Sequence, residues 1–335
     1  MEKTYSNLTV SSSPHLVTKL DTQKTMMWVL IALVPSLLVS TFVFGPRVLV
    51  LTAVCIAASM FFEWAYEKFM KRPETVKDLS AAVTGTLIAF NVPATFPFWM
   101  AIIGCFVAIV LVKQLYGGLG RNFANPAIVA RIMLLVSFAT QMTTWPVAKS
   151  MVPLMGTADV VTGATPLAIV SEGGAFSELP STMDMFLGFI GGSVGEVSSI
   201  ALIIGGLILI WKKIISPATP VAFIGTVFVF ALIYYAVKPV EGASAIQMAL
   251  FHILAGGVML GAIFMATDYV TSPIMPLGKV LMGIGCGLFT MIIRLFAGYP
   301  EGVSFSILLM NIITPLIDML CLRLQYGGGA KKKDE

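Results

Sequence analysis

The stretch TMMWVLIALVPSLLVSTFVF, residues 25–44, decides the class of this chain. It carries no charged side chain and is long enough to cross a bilayer, which takes a helix of about 20 mostly apolar residues. Similar runs recur: 57% of the 335 residues are hydrophobic and 11% are charged, whereas charged residues make up about a quarter of a soluble domain. Backbone groups inside a bilayer must be hydrogen-bonded within the protein, and uncharged runs of this length are typical of membrane-spanning helices. The sequence therefore predicts an all-α integral membrane protein.

Polar, glycine-rich and proline-rich breaks divide the apolar runs into ten predicted transmembrane helices. The predicted spans are residues 25–44, 48–62, 79–90, 96–112, 126–140, 197–211, 221–237, 246–266, 280–296 and 303–322. Lysine and arginine crowd the loops on one side of this arrangement, which the positive-inside rule assigns to the cytoplasm. Both termini are therefore predicted to be cytoplasmic, and the polar segment 143–196 extracytoplasmic.

The same pattern predicts five regions along the chain. They are a cytoplasmic N-terminal arm (1–24), a first five-helix half (25–142), an extracytoplasmic loop (143–196), a second five-helix half (197–322) and a basic cytoplasmic tail (323–335). Each half contains a span broken at a proline- and threonine-containing stretch, at 91–97 and 267–276. Paired interrupted helices favour an inverted repeat with a site near the midplane; ordinary loops between helices are the alternative.

The extracytoplasmic loop contains the stretch DVVTGATPL, residues 159–167. Its small residues would let a planar group approach the backbone closely, and Thr165 offers a hydroxyl for a phosphoester. On spacing alone, a surface turn with helix-capping threonines is the better explanation of the stretch, because threonine and glycine are common in turns and caps.

This stretch resembles the flavinylation signal of respiratory flavoprotein subunits, Asp-x-x-Ser/Thr-Gly-Ala-Thr. In that family a flavin transferase attaches FMN through its phosphate to the last threonine. The resemblance implies a covalent FMN on Thr165, which would make the chain a phosphoprotein, with Asp159, Thr162, Gly163 and Ala164 completing the signal.

Two further glycine-rich stretches are candidates for cofactor binding. The first, YGGLGRNFANP (116–126), contains Arg121, Asn122 and Asn125. Glycines permit close backbone approach, and an arginine at a helix entry suits an anion; an anchoring charge beside a turn is the alternative. The stretch resembles the Gly-Arg-Asn-Pro-Phe-Asn-Pro element of the same flavoproteins, with Phe-Ala in place of Pro-Phe.

The second stretch, FIGGSVGE (189–196), contains Gly192, Ser193 and Glu196. Its backbone N–H groups are suited to a flavin ring or a phosphate, and a flexible loop with a helix-capping acid is the alternative. It resembles the Gly-Ser-x-Gly-Glu element of the family, which implies a place near the external flavin.

Polar residues beside the two helix breaks are candidates for ion coupling. Asp268 is an acid close to the membrane, and Asn91 lies at the break of the first half. Ionisable groups at such positions are functional candidates, although a helix cap is the alternative for Asp268. The four cysteines fall in different apolar runs and the two histidines are far apart, so no metal site is predicted from this chain alone.

Taken together, these motifs resemble the RnfD family of the Rnf complexes, which is related to a membrane flavoprotein of the sodium-pumping NADH:quinone oxidoreductase. The sequences MATD (265–268), TSP (271–273) and YPEG (299–302) add to the likeness. It implies an electron-carrying subunit of a Na⁺- or H⁺-translocating ferredoxin:NAD oxidoreductase, a urea-transporter-like fold, and a second, noncovalent flavin such as riboflavin.

The resemblance also implies partners: the other Rnf subunits, a flavin transferase and the lipid bilayer, with no nucleic acid. The chain would act in a translocase complex and not as an enzyme alone. Two alternatives remain open, a cofactor-free solute channel or transporter of urea-transporter-like architecture and a purely structural membrane subunit. Protein-bound flavin distinguishes them.

Overall fold

The computed structural model describes residues 21–148, 151–154, 160–174, 179–240, 242–298 and 301–326. Across these ranges the chain is mainly helical, with two strands of two residues each. The structure therefore supports an all-α membrane protein.

Six helices precede the polar segment in the described part of the chain. They are α1 (Thr22–Phe44), α2 (Arg47–Phe69), α3 (Ser80–Phe90), α4 (Phe98–Phe106), α5 (Pro126–Ser137) and α6 (Ala139–Met142). A π-helical stretch, Val107–Gln114, continues α4. The start of α5 shows why the sequence folds this way locally. Asn125 caps it by accepting a hydrogen bond from Ala127 N, and Pro126 occupies its first turn, where no backbone N–H is required.

The polar segment is partly ordered into short elements. Strand β1 (Trp145–Pro146) pairs antiparallel with β2 (Thr162–Gly163), and the helices α7 (Pro166–Ser171) and α8 (Thr182–Leu187) follow. A 3₁₀ turn, Val194–Glu196, leads into the second group of helices. The predicted loop is thus a small folded layer on the helices.

Six helices follow in the remaining described residues. They are α9 (Ser199–Trp211), α10 (Ala218–Val237), α11 (Ala245–Leu254), α12 (Val258–Leu260), α13 (Pro276–Phe296) and α14 (Val303–Tyr326). A π-helical stretch, Gly261–Met265, extends α12.

Five of the helices in the described ranges are long and apolar enough to cross a membrane: α1, α2, α10, α13 and α14. The bent pair Ala245–Leu254 and Val258–Met265 makes a sixth if it counts as one span. Four shorter apolar helices, Ser80–Phe90, Phe98–Gln114, Pro126–Ser137 and Ser199–Trp211, lie among them in sequence.

The prediction of one uninterrupted span over residues 246–266 is wrong. The chain bends by 61° between Leu254 and Val258, because Gly256 and Gly257 both adopt positive φ, at +66° and +73°. Two glycines within an apolar run carried too weak a signal for a break. The bend brings the backbone against Glu196, since a Cβ on Gly257 would collide with the Glu196 carboxylate.

Close backbone contacts hold the helices together where glycine removes the side chain. A Cβ added to Gly85 of α3 would lie 2.6 Å from the carbonyl oxygen of Cys55 in α2, and one on Gly205 of α9 would collide with that of Ala32 in α1. Small residues at such crossings are typical of membrane helices, because tight van der Waals packing drives their association.

Candidate functional site

A buried cluster of charged side chains lies where the two groups of helices meet. Arg131 of α5 donates from Nη1 to Asn91 Oδ1 at 2.9 Å and to Glu196 Oε1 at 3.2 Å, and its Nη2 pairs with Glu301. The side chains of Arg131 and Glu196 are 5% and 6% exposed. A buried arginine requires such partners, since an unpaired charge there is strongly destabilising.

Helix ends bring these residues together. Asn91 is the C-cap of α3, Glu196 ends the 3₁₀ turn before α9, and Glu301 lies just before α14. Of these four residues, Arg131 alone lies within an α-helix. Glu196 and Glu301 therefore lie in glycine-containing stretches between helices, which can be recognised in the sequence. That both contact the same arginine is decided by the tertiary structure.

Thr165 lies at the edge of this cluster. A narrow cleft is lined by Thr165, Gly192, Gly256 and both carboxylate residues, Glu196 and Glu301. Thr165 is the N-cap of α7, and its Oγ1 accepts a hydrogen bond from Ala168 N at 3.2 Å. Its side chain is half-buried, while residues 161–164 before it are exposed. The hydroxyl thus lies between solvent and the buried charges.

The remaining motif residues surround this position. Thr162 and Gly163 form the exposed strand β2, and Gly163 and Ala164 line a separate cavity of about 220 Å³. Asp159 lies outside the described residues. Ser193 is fully buried, and its hydroxyl has no hydrogen-bond partner within the described ranges.

A second buried arginine stabilises the bend between α11 and α12. Arg294 of α13 donates from Nη1 to the His252 carbonyl oxygen at 2.7 Å, and from Nη2 to those of Ala255 and Gly256, each at 2.9 Å. These carbonyls lose their helical partners where the helix breaks, so Arg294 satisfies acceptors that would otherwise be buried and unpaired.

The other predicted site residues collect elsewhere. Asn122, Asn125 and Asp268 line a different cavity, of about 80 Å³, that Thr165 does not line. Arg121 is exposed and is not among its lining residues. The predicted cofactor-binding residues therefore form two groups, one around Thr165 and one around Asp268. The two ion-coupling candidates are also in different places, because Asn91 contacts Arg131 whereas Asp268 lines the cavity with Asn122.

Asp268 has a distinctive electrostatic environment. Burial raises the pKa of its carboxyl group, while hydrogen bonds from Thr271, from the backbone and from Asn122 oppose this rise. The Thr271 hydroxyl donates to Asp268 Oδ2 at 3.1 Å. Asn125, on the same cavity, donates to the Met265 carbonyl oxygen at 3.1 Å. The cavity thus lies at the end of the Gly261–Met265 helical stretch.

A third polar cluster was not predicted from the sequence. Lys113 Nζ lies 2.5 Å from Glu63 Oε1 and 2.6 Å from Ser80 Oγ, and Gln114 Nε2 donates to Glu63 Oε1 at 2.9 Å. Glu67, one turn beyond Glu63, is also buried. The predicted end of the second span at residue 62 was wrong, because α2 continues to Phe69 and holds both acids inside the protein. Their four-residue spacing was the available signal.

Comparisons with known proteins give relatives over nearly the whole chain. The model of the NQR2, RnfD, RnfE family matches residues 9–327. A protein of Acetobacterium woodii, named as the D component of a Na⁺-translocating ferredoxin:NAD⁺ oxidoreductase complex, is 48% identical over 98% of both chains. A Clostridium ljungdahlii protein, named as the D component of a proton-translocating ferredoxin:NAD⁺ oxidoreductase complex, is 41% identical over 95% of this chain and 96% of its own.

A third relative, from Actinobacillus succinogenes, is named as the D component of an ion-translocating oxidoreductase complex; it is 34% identical over 92% of this chain and 95% of its own. The names differ in the transported ion, so similarity alone assigns none. The matched length and identity are sufficient for the conclusion that this chain belongs to the NQR2, RnfD, RnfE family.

Proposed function

We propose that this chain is the membrane flavoprotein subunit of an ion-translocating ferredoxin:NAD oxidoreductase complex, and that it carries electrons through FMN bound covalently to Thr165. The names of its relatives support the complex, and the motif at 159–167 supports the cofactor. The other subunits of the complex, the lipid bilayer and a flavin transferase are the corresponding partners.

The position of Thr165 is the observation that carries the proposal. Thr165 is half-buried and follows the exposed residues 161–164, so the segment is accessible to a transferase acting from solvent. The same residue lines the cleft that contains Glu196 and Glu301. A group attached there is tethered next to the buried charges that connect the two groups of helices.

The residues present fit a flavin phosphoester. Thr165 Oγ1 accepts a hydrogen bond and retains its own proton. In the transferase reaction the bond from Oγ1 to phosphorus would form as the phosphoanhydride of a flavin dinucleotide donor breaks, with the nucleoside monophosphate as leaving group and the hydroxyl proton released. Unpartnered polar atoms, Arg294 Nε and His252 Nδ1, are buried close to α7. FMN supplies one- and two-electron redox chemistry when bound; the protein supplies a tether, cationic side chains and walls that limit water.

The proposed role of the buried charged residues is to compensate the charge that the flavin gains when it is reduced. Arg131 holds Glu196 and Glu301 in place and contacts Asn91, so the cluster is a network of paired groups close to the tether. Asp268 is the second ion-coupling candidate, on the cavity with Asn122 and Asn125. A second, noncovalent flavin such as riboflavin belongs to the same proposal.

The proposed topology has ten spans in two inverted five-helix halves, as in urea transporters. The six candidate spans and the four shorter apolar helices together supply ten segments. We infer that both termini are cytoplasmic and that the Thr165 layer is extracytoplasmic, because lysine and arginine are concentrated on the side of the termini. The site is therefore proposed to face the outer side of the cell membrane.

In-gel flavin fluorescence after denaturation tests the cofactor. The wild type, Thr165→Ala, Thr165→Ser and Thr182→Ala are each co-expressed with a flavin transferase. Thr182 is an exposed threonine of the same polar segment and lies outside the motif. We expect fluorescence in the wild type and in Thr182→Ala, none in Thr165→Ala, and retention in Thr165→Ser, which keeps a hydroxyl.

The other outcomes are equally informative. Fluorescence in Thr165→Ala would retain the flavoprotein and assign the link to another residue. An absence of fluorescence in every variant would favour the cofactor-free channel or transporter, for which the paired helix breaks are the supporting feature.

A further inference from the structure

A cavity of about 420 Å³ lies beside α7, and residues of strand β2 do not line it. We call it the Arg294 cavity; its lining includes Val170 and Ser171 of α7, Tyr234 and Lys238 at the end of α10, and Arg294. Its volume falls within the range of about 300–1,000 Å³ typical of small-molecule sites. The cavity on the other side of the Thr165 segment, at about 220 Å³, is below that range.

Two residues that line the Arg294 cavity carry buried polar atoms without hydrogen-bond partners. Arg294 Nε and His252 Nδ1 have no hydrogen-bond partner in the described part of the chain, although the two residues are 6% and 2% exposed. An unsatisfied buried donor or acceptor costs about 1–3 kcal/mol, so such atoms are rare in native proteins and require an explanation, such as a role in a site or a bound water.

The same wall is aromatic and cationic. The Tyr235 hydroxyl and His252 Nε2 are 3.0 Å apart, which fixes the orientation of the imidazole. Lys238 Nζ lies 5.6 Å from the centre of the Tyr234 ring. Aromatic faces, N–H donors and a lysine ammonium together match a planar heteroaromatic ring that bears carbonyl groups and becomes negatively charged on reduction.

Leu167 connects this cavity to Thr165. Its side chain lines both the Thr165 cleft and the Arg294 cavity, so the two spaces are adjacent. The Leu167 side chain is therefore part of the boundary between the space next to Thr165 and the larger Arg294 cavity.

We infer that the Arg294 cavity holds the isoalloxazine ring of the flavin attached to Thr165, with Lys238 and Arg294 as the cationic groups that stabilise its reduced form. This inference rests on the proposed function. It assigns a tuning role to a lysine and an arginine that lie 73 and 129 positions beyond the motif threonine in the sequence.

Two tryptophan substitutions test the location of the ring. Ser171→Trp fills the Arg294 cavity, whereas Ala148→Trp fills the 220 Å³ cavity. In the purified complex we expect Ser171→Trp to alter the visible flavin absorption and native-state fluorescence, and Ala148→Trp to leave both unchanged. The covalent yield, measured by in-gel fluorescence, should equal that of the wild type in both variants.

Lys238→Met tests the electrostatic part. Loss of the ammonium should lower the midpoint potential of the covalent flavin in spectroelectrochemical titration, because the reduced ring loses a compensating charge. Lys212→Met, a lysine after α9 that does not line this cavity, is the control and should leave the potential unchanged.

The outcomes separate the inference from the proposed function. A normal covalent yield with spectra altered only in Ala148→Trp would place the ring in the other cavity. Unchanged spectra in both tryptophan variants, or an unchanged potential in Lys238→Met, would also overturn the inference and leave the covalent flavin intact. A wild type without covalent flavin would remove both.

Discussion

Arg131 and Glu196 form a buried ion pair across 65 positions of sequence, with Arg131 Nη1 3.2 Å from Glu196 Oε1. Arg131 belongs to α5 of the first helical group, and Glu196 ends the turn that leads into the second. The pair therefore joins the two groups at the edge of the Thr165 cleft, and a loss of either charge affects both stability and the site.

Arg131→Met is expected to lower the free energy of unfolding by about 3–5 kcal/mol, because it leaves the carboxylates of Glu196 and Glu301 buried without their shared cation. Denaturant unfolding in detergent micelles measures the change. The double variant Arg131→Met/Glu196→Gln should recover part of the loss, since it removes one unpaired charge. Arg323→Met, at an exposed arginine, should change stability by about 0.5 kcal/mol or less. Equal stability of Arg131→Met and the wild type would contradict the structural role of this pair.

Asp268 should make stability fall with rising pH. Burial raises its pKa above the ordinary value of 3.8. At a pH between 3.8 and the higher pKa of the folded state, Asp268 is therefore protonated in the folded protein and ionised in the unfolded chain. The stabilisation is full below the ordinary value and is lost as pH rises through the folded-state pKa.

Asp268→Asn removes this dependence, so its melting temperature should decline less than that of the wild type as pH rises from about 4. Melting curves of the purified protein across this window measure the difference. Asp184→Asn, at an exposed carboxylate of α8, serves as the control and should follow the wild type. Parallel pH profiles for Asp268→Asn and the wild type would show that this carboxyl group is not the source of the dependence.

Gly256→Ala should destabilise the protein and disturb the Thr165 layer. Gly256 has a φ of +66°, and a Cβ there would collide with Leu167 and lie 2.7 Å from Arg294 Nη2. Gly173→Ala is a matched control, because its φ is +78° but nothing lies within 4 Å of the added carbon.

The two variants separate backbone strain from collision. Left-handed backbone strain alone costs about 1–2 kcal/mol for an alanine, so Gly256→Ala should lose more stability than Gly173→Ala and should also lower the yield of covalent flavin. Denaturant unfolding and in-gel fluorescence measure the two effects. Equal losses in both variants would mean that the contact with Leu167 is unimportant.

Hydropathy was sufficient to predict most helices. The span predicted at residues 79–90 corresponds to Ser80–Phe90, and that at 303–322 to Val303–Tyr326, because uncharged runs ended by polar or glycine-rich breaks leave few alternatives. The prediction failed where the local signal was weak. The predicted span 48–62 stopped before Glu63, yet α2 continues to Phe69, and Glu63 is buried in an ion pair with Lys113, 50 positions away.

The candidate site was predicted in part. Thr165, Gly192 and Glu196 were named from local motifs and line one cleft. Asn122 and Asn125 were named for the same cofactor, but they line the cavity with Asp268. Residues that are neighbours in a motif stay together in the fold. The distance between two motifs depends instead on how the helices pack, and helix packing cannot be read from the residues of either motif.

The sequence by itself determined the membrane class, most helix boundaries and the exposed threonine motif, because each depends on residues within one or two turns of one another. Only the tertiary structure decided that Arg131 holds Glu196 and Glu301 and that Arg294 closes the bend at Gly256. The physical reason is that a buried charge is stable only with its partners in place, and these partners come from helix ends that are far apart in the chain.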